Sequence, residues 1–468
     1  MVRTIKDYIN SLNDGRNVWY RGVKIPSIAE HPILSIAVKH LAKLYELPNR
    51  VYEDKELGHI SMYYRIPRNA NDLLERHKMI YNHTYACNGI FNIGQAIGSD
   101  ALFALMITTK KIDNKLNTKY YPRVMEYYRY ITKNDLSIAV AQTDVKGDRS
   151  KRPHEQSDSD LYLRIIDVKS DGIIVRGAKA HTTQAAVVDE IIVIPTRAMT
   201  QKDSDYSVAF AVPANTKGVK MIVRPIDEIE GNKSAILSMK DYELETLTIF
   251  DDVFVPWDRV FMFKEYEYAA FLANLFATYH RFTAISYRSA MANLYLGAAS
   301  LVAKANGVPD AHHIRNRIIE IIMWKEMMRM GALSSAITHL TDENIAIPNP
   351  LYTNIAKLYS NLNFSKVLES LVDISGGIIG TMPSEEDLRG ELKDIITKYL
   401  TGAINGEERI KILKIAKELA GGSSFTGYSL PLMIHAEGSI EASRIGLLRE
   451  YDLKEAEELI KRIIEEKT

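Results

Sequence analysis

His280 opens a short run, His280-Arg281-Phe282-Thr283-Ala284-Ile285-Ser286, that ends at Tyr287. The run lies within residues 279–304, where apolar spacing predicts a helix. Residues four and seven apart share a helix face, so His280, Ala284 and Tyr287 point together. Upstream, His83 and Cys87 are also four apart in a stretch that reads as helix. Two such helices could pinch a metal ion or a reacting group between imidazole, thiolate and phenol. The blander alternative is a packed, capping histidine and a space-filling cysteine, which such isolated pairs more often are.

The elements that must position these groups come in three textures. From Thr4 to about Asn134, segments such as 33–45 and 99–105 have helical apolar spacing. Between about Leu136 and Phe261 the chain turns to short β-branched runs: 161–168, 172–180, 190–195 and 208–213. Gly, Pro, Asp and Asn punctuate them, as in the strands of a compact sheet or barrel. From Tyr266 the helical period returns in segments 279–304, 310–341, 351–375, 386–402, 407–420 and 437–464. Gly376-Gly377 and Gly421-Gly422-Ser423-Ser424 are the breaks between them. The reading is an N-terminal helical domain (1–135), a middle β-domain (136–265) and a C-terminal helical bundle (266–468).

Composition sets limits on what such a chain does. With 46% hydrophobic residues it can bury a sizeable core. Lys plus Arg and Asp plus Glu both total 59, so no whole-chain field attracts nucleic acid or a membrane surface. One cysteine rules out an internal disulfide and any cluster built from several thiolates of one chain. No apolar run is long enough to span a bilayer and the first residues lack a signal-peptide core, so a cytoplasmic location is expected.

The loops carry polar chemistry. Gln142-Thr143-Asp144-Val145-Lys146-Gly147-Asp148-Arg149-Ser150 mixes hydroxyl, carboxylate and basic groups around one glycine. Such a loop can offer backbone N–H groups and side chains to a polar ligand. It lacks the Gly-Lys-Ser/Thr signature of a phosphate-binding loop, and a merely solvated loop is the alternative. His181-Thr182-Thr183 closes a strand with three polar side chains in a row. Buried there, they would need partners, which a bound heterocycle could supply. Phe250 to Trp257 alternates apolar residues and reads as structural. The adjacent Gly376 and Gly377 allow a ligand or a neighbouring subunit to approach closely, or simply end a helix.

Taken together these residues resemble the 4-hydroxyphenylacetate 3-hydroxylase family, in particular its 4-hydroxybutyryl-CoA dehydratase-like branch. The resemblance begins at Arg3-Thr4-Ile5-Lys6-Asp7 and continues through Lys146-Gly147-Asp148-Arg149-Ser150 and Arg176-Gly177-Ala178-Lys179-Ala180-His181. It extends over 250–257, Tyr279-His280-Arg281, 380–385 and 397–402. It implies an α+β, acyl-CoA dehydrogenase-like fold with a helical N-terminal domain, a middle β-barrel and a C-terminal four-helix bundle. It also implies FAD and a homotetramer. By resemblance, FAD-contacting positions fall on Gln142, Thr143, Lys146, Asp148 and Arg149, on His181, Thr182 and Thr183, and on Gly376, Gly377 and Thr381. Glu245 keeps a position used as acid or base, and His280 keeps the histidine of the dehydratase cluster.

The departures are specific. The dehydratases hold a four-iron cluster with three cysteines and one histidine; here Cys87 keeps one cysteine, while His83 and Tyr287 stand at the other two. A tyrosine used in dehydration falls on Ala284, and a C-terminal glutamate falls near Pro431. The hydroxylase branch expects an Arg and a Tyr in a Pro-Asp-Tyr segment and a His before the flavin loop, where this chain has 87–92 and Ala141. A cluster needs thiolates, so none is expected; a single Zn or Fe on His83, Cys87 and His280 is the metal alternative. Removing an unactivated β-hydrogen needs a Lewis acid beside the flavin, whereas oxygenating a phenol needs a dry pocket, a base and an electron source. The leading expectation is therefore a two-component flavin monooxygenase with His280 and Glu245 as proton-transfer groups. The chain has no evident Gly-x-Gly-x-x-Gly nicotinamide unit, which agrees with a separate flavin reductase as partner. The alternatives are an acyl-CoA enzyme without the cluster and a non-catalytic flavin-binding paralogue. The substrate is a small molecule, phenolic or an acyl-CoA.

Overall fold

Alternation decides the middle of the chain and 3.6-residue periodicity decides both ends. The structure, a computed structural model, describes residues 2–226, 235–421 and 424–465. Residues Gly422 and Ser423 of the expected glycine-serine break lie outside the described residues.

The N-terminal part carries helices α1 (Ile5–Ser11), α2 (Ser35–Ala42), α3 (Ala70–Ala86), α4 (Ala96–Leu116) and α5 (Tyr120–Asn134). Thr4 and Asp7 form a capping box that starts α1, and the Asn69 side chain caps α3 by accepting from the Asp72 N–H. In α4 every residue from Ala96 to Thr109 is buried, so it is a core helix rather than a surface one. The N-terminal part is not wholly helical. Strands β1 (Val18–Tyr20) and β2 (Val23–Lys24) leave it to join the middle sheet, with Val18 paired parallel to Met221. A separate hairpin is formed by β3 (Val51–Asp54) and β4 (Gly58–Ser61).

The middle region contains β5 (Ile138–Ala141), β6 (Arg164–Val168), β7 (Gly172–Lys179), β8 (Glu190–Val193), β9 (Val208–Pro213), β10 (Val219–Val223), β11 (Thr246–Pro256) and β12 (Val260–Phe263). They pair into a six-stranded sheet, β2-β1-β10-β11-β7-β6, and a four-stranded sheet, β12-β9-β8-β5. Among the described residues these pairings form two sheets and trace no closed ring. Phe210 of one and Phe250 of the other meet edge to face at 6.0 Å. All four residues of β8 are buried, because β5 and β9 flank it. Arg3 fastens the N-terminal part to this region by donating to both oxygens of Asp189, at 2.7 and 3.0 Å.

The C-terminal part is organised around α6 (Tyr266–Ala305), 40 residues long and thus about 60 Å at 1.5 Å per residue. It packs on α3 and α4 as well as on α7 (His312–Ile337), α8 (Pro350–Ile374) and α11 (Gly406–Ala420), to which α12 (Ser424–His435) and α13 (Ile440–Glu450) are added. The short α9 (Glu385–Arg389) and α10 (Lys393–Tyr399) link α8 to α11, and α14 (Lys454–Glu465) buries none of its residues. Helices α6, α7 and α8 pack on one another and α11 packs on α6 and α8, which makes a bundle of four. No helix among the described residues is long and apolar enough to cross a membrane.

Candidate functional site

Three carboxylates recur at every second residue in Asp241-Tyr242-Glu243-Leu244-Glu245, an extended segment leading into β11. Of these, Asp241 and Glu243 line a cleft against α6 and α12, and Glu245 reaches α12 through Tyr428. Asp241, Tyr242 and Glu243 line a narrow cleft with Ile90, Phe91, Tyr287 and Tyr428. The Phe91 and Tyr287 rings stack at 4.5 Å on one wall, and Tyr242 and Tyr428 lie 5.7 Å apart on another.

The three carboxylates have different surroundings. Asp241 accepts from Lys43 and Asn88 at 2.5 and 2.6 Å and lies 2.7 Å from His40 Nδ1. Although burial opposes ionisation, His40 and then Lys43 and Asn88 hold its carboxyl down at about 2. Glu245 Oε1 accepts from Thr183 Oγ1 at 2.9 Å and from Tyr428 Oη at 3.0 Å, while Oε2 is buried without a hydrogen-bond partner. Burial outweighs those two hydrogen bonds and raises its carboxyl to about 7. Glu243 has least support. Its Oε1 is buried without a partner, and burial together with the carboxylates of Glu245 and Glu437 pushes it well above the usual carboxylate range. Neighbouring carboxyls driven to different protonation states are what acid–base chemistry requires.

The loop expected to bind flavin leaves β5 and is braced from below. Lys179 Nζ donates to Asp144 Oδ1 at 2.6 Å and to the Gln142 carbonyl at 2.8 Å, and Thr196 donates to the same two residues. Tyr162 Oη donates to the Lys146 carbonyl, and Gln156 bridges to Asp148. Gly147 has φ +46°, and a Cβ there would meet Gln156 Oε1 at 2.6 Å, so the turn requires glycine. Lys146 and Arg149 project outward, whereas Asp148 is spent on the loop itself, accepting from the Ser150 N–H and hydroxyl. Gln142 and Thr143 are half-buried at the loop's root. His181, at φ +55°, is partly covered beside Lys146 and His435, and burial, followed by those two neighbours, holds its imidazole below the usual range. Thr182 is buried with no partner for its hydroxyl, and Thr183 reaches Glu245.

These residues fit a flavin. An orphaned buried hydroxyl at Thr182, a neighbouring Thr183 and the outward cations Lys146 and Arg149 suit a polar heterocycle carrying phosphates. The glycine turn lies elsewhere in the chain. Gly376 and Gly377, at φ +64° and +72°, end α8, and the following turn, Ile378–Gly380, packs on α11. Thr381 is exposed there. A Cβ at either glycine would meet nothing within 4 Å, so the backbone conformation alone asks for glycine.

The positions resembling a cluster site do not assemble one. His83 points its ring nitrogens at Tyr63 Oη (3.1 Å) and at the Pro48 carbonyl (2.9 Å). Cys87, at the C-terminal cap of α3, is fully buried, and burial pushes its thiol up to about 12. His280 stacks on Phe276 and lies 3.4 Å from Asp100 Oδ2, not against Glu245 as a proton-transfer pair would require. Among the described residues no group of three or more His, Cys, Asp or Glu side chains is arranged to hold a metal. His83, Cys87 and His280 do not form such a group among the described residues, and a single cysteine does not fit a four-iron cluster. Ala284 is buried and Pro431 is exposed within α12.

Glu437 is the carboxylate that Tyr287 and Arg288 meet. Tyr287 donates to its Oε1 at 2.7 Å and Arg288 to its Oε2 at 2.5 Å, with His280 and Lys357 nearby in charge. Although burial opposes ionisation, Arg288 foremost holds this carboxyl below the usual carboxylate range. Glu437 sits at φ +55° just before Gly438, a strained position for a non-glycine residue. Sequence reasoning missed it, along with Tyr428 and the role of Glu243; the alternation of carboxylates at 241, 243 and 245 was the available signal for the last.

Comparison with known proteins agrees with this construction. The descriptions "4-hydroxyphenylacetate 3-hydroxylase N terminal" and "4-hydroxyphenylacetate 3-hydroxylase C terminal" match residues 4–262 and 269–465. The chain belongs to the 4-hydroxyphenylacetate 3-hydroxylase family. Within it, the chain is 32% identical to the 4-hydroxybutyryl-CoA dehydratase/vinylacetyl-CoA-Δ-isomerase of Clostridium aminobutyricum over 99% of both chains. An oxygen-tolerant archaeal 4-hydroxybutyryl-CoA dehydratase from N. maritimus superposes with a TM-score of 0.93 at 30% identity, covering 99% of this chain and 95% of that one. The oxygenase component of 4-hydroxyphenylacetate 3-monooxygenase, complexed with FAD and 4-hydroxyphenylacetate, superposes at 0.91 with 25% identity over 99% of both. The family thus holds both monooxygenases and a dehydratase, and the α+β fold is shared across it.

Proposed function

We propose that this chain is an FAD-dependent oxidoreductase of the monooxygenase type, using reduced FAD from a separate reductase to oxygenate a small phenolic substrate. The carrying observation is Glu245, which joins Thr183 of the flavin-binding segment to Tyr428 of the cleft through one oxygen. Lys146, Arg149, His181, Thr182 and Thr183 would hold the cofactor, with Gln142 and Thr143 at the root of the loop. When bound, FAD supplies the two-electron chemistry that side chains lack.

Glu245 Oε2 is the bare acceptor, and a carboxyl near 7 is matched to taking the proton from a substrate hydroxyl at neutral pH. The cleft between stacked Phe91 and Tyr287 and the pair Tyr242 and Tyr428 has about 30 Å³ of free volume, so an aromatic ring enters only as those rings separate. His280, beside Asp100 and Glu437, acts at most through the α6 network rather than on the same proton as Glu245. The assembly proposed is a homotetramer, with the Gly376-Gly377 turn against a neighbouring subunit's flavin.

A second reading is favoured by the relative matched over 99% of its length, a dehydratase and isomerase. In an acyl-CoA isomerisation, Glu245 would remove a proton from C2 of a β,γ-unsaturated thioester and a carboxyl would return one to C4. Oxygen uptake in the presence of reduced FAD separates the two. Phenol-dependent uptake with hydroxylated product supports monooxygenation, and Glu245→Gln should lower that rate by about 10²–10⁴-fold. Conversion of vinylacetyl-CoA to crotonyl-CoA without oxygen uptake would replace it with the second reading, and neither activity beside intact FAD binding would leave a non-catalytic paralogue.

A further inference from the structure

Arg224 is tied to Glu245 twice, once through its backbone and once through an aromatic ring. Strand β10 ends at Val223, paired with Thr246 of β11, and the ladder runs one bond further as the Arg224 N–H donates to the Glu245 carbonyl at 3.0 Å. Pro225 follows, with no N–H to extend the pairing. The side chain turns back over the strand end, Nη1 donating to the Pro225 carbonyl at 3.0 Å. Its guanidinium carbon lies 4.3 Å from the centre of the Tyr428 ring and 5.3 Å from that of Tyr242, with Nε and Nη2 buried. A guanidinium over an aromatic face is held by the ring quadrupole, the more strongly as water is excluded.

Tyr428 needs that support. It lies on α12, 183 residues from Glu245 in the chain, and its hydroxyl donates to Oε1 of that carboxyl at 3.0 Å. Pro431, three residues on, interrupts the hydrogen bonding of the helix, so the backbone of α12 does not by itself fix the ring. Arg224 closes the circuit: anchored on the Glu245 backbone, it packs on the ring whose hydroxyl returns to the Glu245 side chain. Around that carboxyl stand Thr183, Tyr428 of α12, Arg224 at the end of β10 and Glu243 of the same segment. Burial raises it, and Thr183, Tyr428 and then Arg224 oppose the rise.

We propose that Arg224 is a positioning residue for Glu245, its guanidinium clamping the Tyr428 ring so that the hydroxyl stays on Oε1. This rests on Glu245 being the proton-transfer group of the proposed flavin enzyme, and it gives Arg224 a part in the chemistry without contact with substrate.

The test reads the Glu245 carboxyl itself. Infrared difference spectra of the full chain without FAD give the titration midpoint of the carbonyl band that Glu245→Gln removes, near 7 in wild type. Arg224→Gln should raise that midpoint by about half a unit to one unit, the worth of the hydrogen bond it loosens. With Tyr428→Phe already in place, the same change should raise it by less than half as much, because only the direct attraction between the two charges remains. Arg224→Lys keeps the charge but not the flat guanidinium, and should recover less than half of the shift; it also guards against misfolding of the Gln variant. Equal shifts in the two backgrounds, no shift on Arg224→Gln, or full recovery by Arg224→Lys would each overturn the proposal. Oxygen uptake with reduced FAD is measured separately on the same proteins. No uptake with the infrared pattern intact removes the flavin-enzyme reading and leaves Arg224 in its role, whereas uptake with the pattern lost removes Arg224 alone.

Discussion

Tyr428 sets how readily Glu245 gives up or accepts a proton, because its hydroxyl donates to Oε1 and favours the ionised carboxylate. Tyr428→Phe removes that hydrogen bond, so the carboxyl should titrate higher than in wild type. In the pH profile of the oxygenation rate, the rising limb near 7 should move to higher pH, with the plateau retained; an unmoved limb would mean that another group is the base. Stability carries the same signature with a definite sign. The folded Glu245 titrates at about 7 against 4.5 for the ordinary carboxyl. Between those values the native protein keeps a proton that the unfolded chain has lost, so its contribution to stability falls as pH rises through that window. Glu245→Gln removes this slope, and its stability relative to wild type should climb from pH 4.5 to 7 and level off above, as measured by denaturant unfolding at each pH. At this scale the sequence marked Thr183 and Glu245 separately, and only folding put them 2.9 Å apart. Glu437 was invisible because it meets Tyr287 across 150 residues of chain, with no local pattern to announce the contact.

Among the elements, the β-region was the most legible, since its β-branched runs between turn residues fall on strands such as β7 and β9. The long helices were found with displaced ends. The stretch expected as 310–341 stops at Ile337, because the chain turns into a hairpin through Glu343 and Asn344, both left-handed, pairing Leu340–Asp342 with Ile345–Ile347. Helix α12 went unread because Pro431 lies inside it and the preceding glycines suggested a break. The expected helix over 437–464 is two: α13 ends at Glu450, and Asp452 accepts from the Lys454 N–H as α14 begins. The packing of α7 on α8 is tight enough to test. A Cβ on Gly331 would lie 2.2 Å from Ala356 Cβ. Gly331→Ala gains about 1 kcal/mol of helix propensity but must spread two helices, at about 1–3 kcal/mol. The overpacking should win, giving a lower Tm by calorimetry; an unchanged or raised Tm would mean the helices separate freely.

For the whole molecule, the resemblance carried the fold further than residue patterns did, because strand order and the entry of β1 and β2 into the middle sheet depend on pairings between distant segments. The α14 helix exposes Leu459, Ile460, Ile463 and Ile464 together, an apolar stripe that suits the proposed tetramer. Ending the chain at Asp452 should leave each subunit folded, since α14 buries nothing, while sedimentation reports a smaller assembly than the full chain forms. A full-sized assembly from the shortened chain would place the contacts elsewhere. The claim on which the rest depends is that Lys146, Arg149 and the 181–183 segment hold FAD. Anaerobic titration with oxidised and then reduced FAD tests it most directly. Saturation near one flavin per chain is expected, weakened about tenfold or less by Thr183→Ala, as the loss of a hydrogen bond worth about 0.5–1.5 kcal/mol dictates. The paired Lys146→Ala and Arg149→Ala change should weaken it further. Failure of the wild-type chain to bind either form, or binding that none of these substitutions alters, would contradict the account.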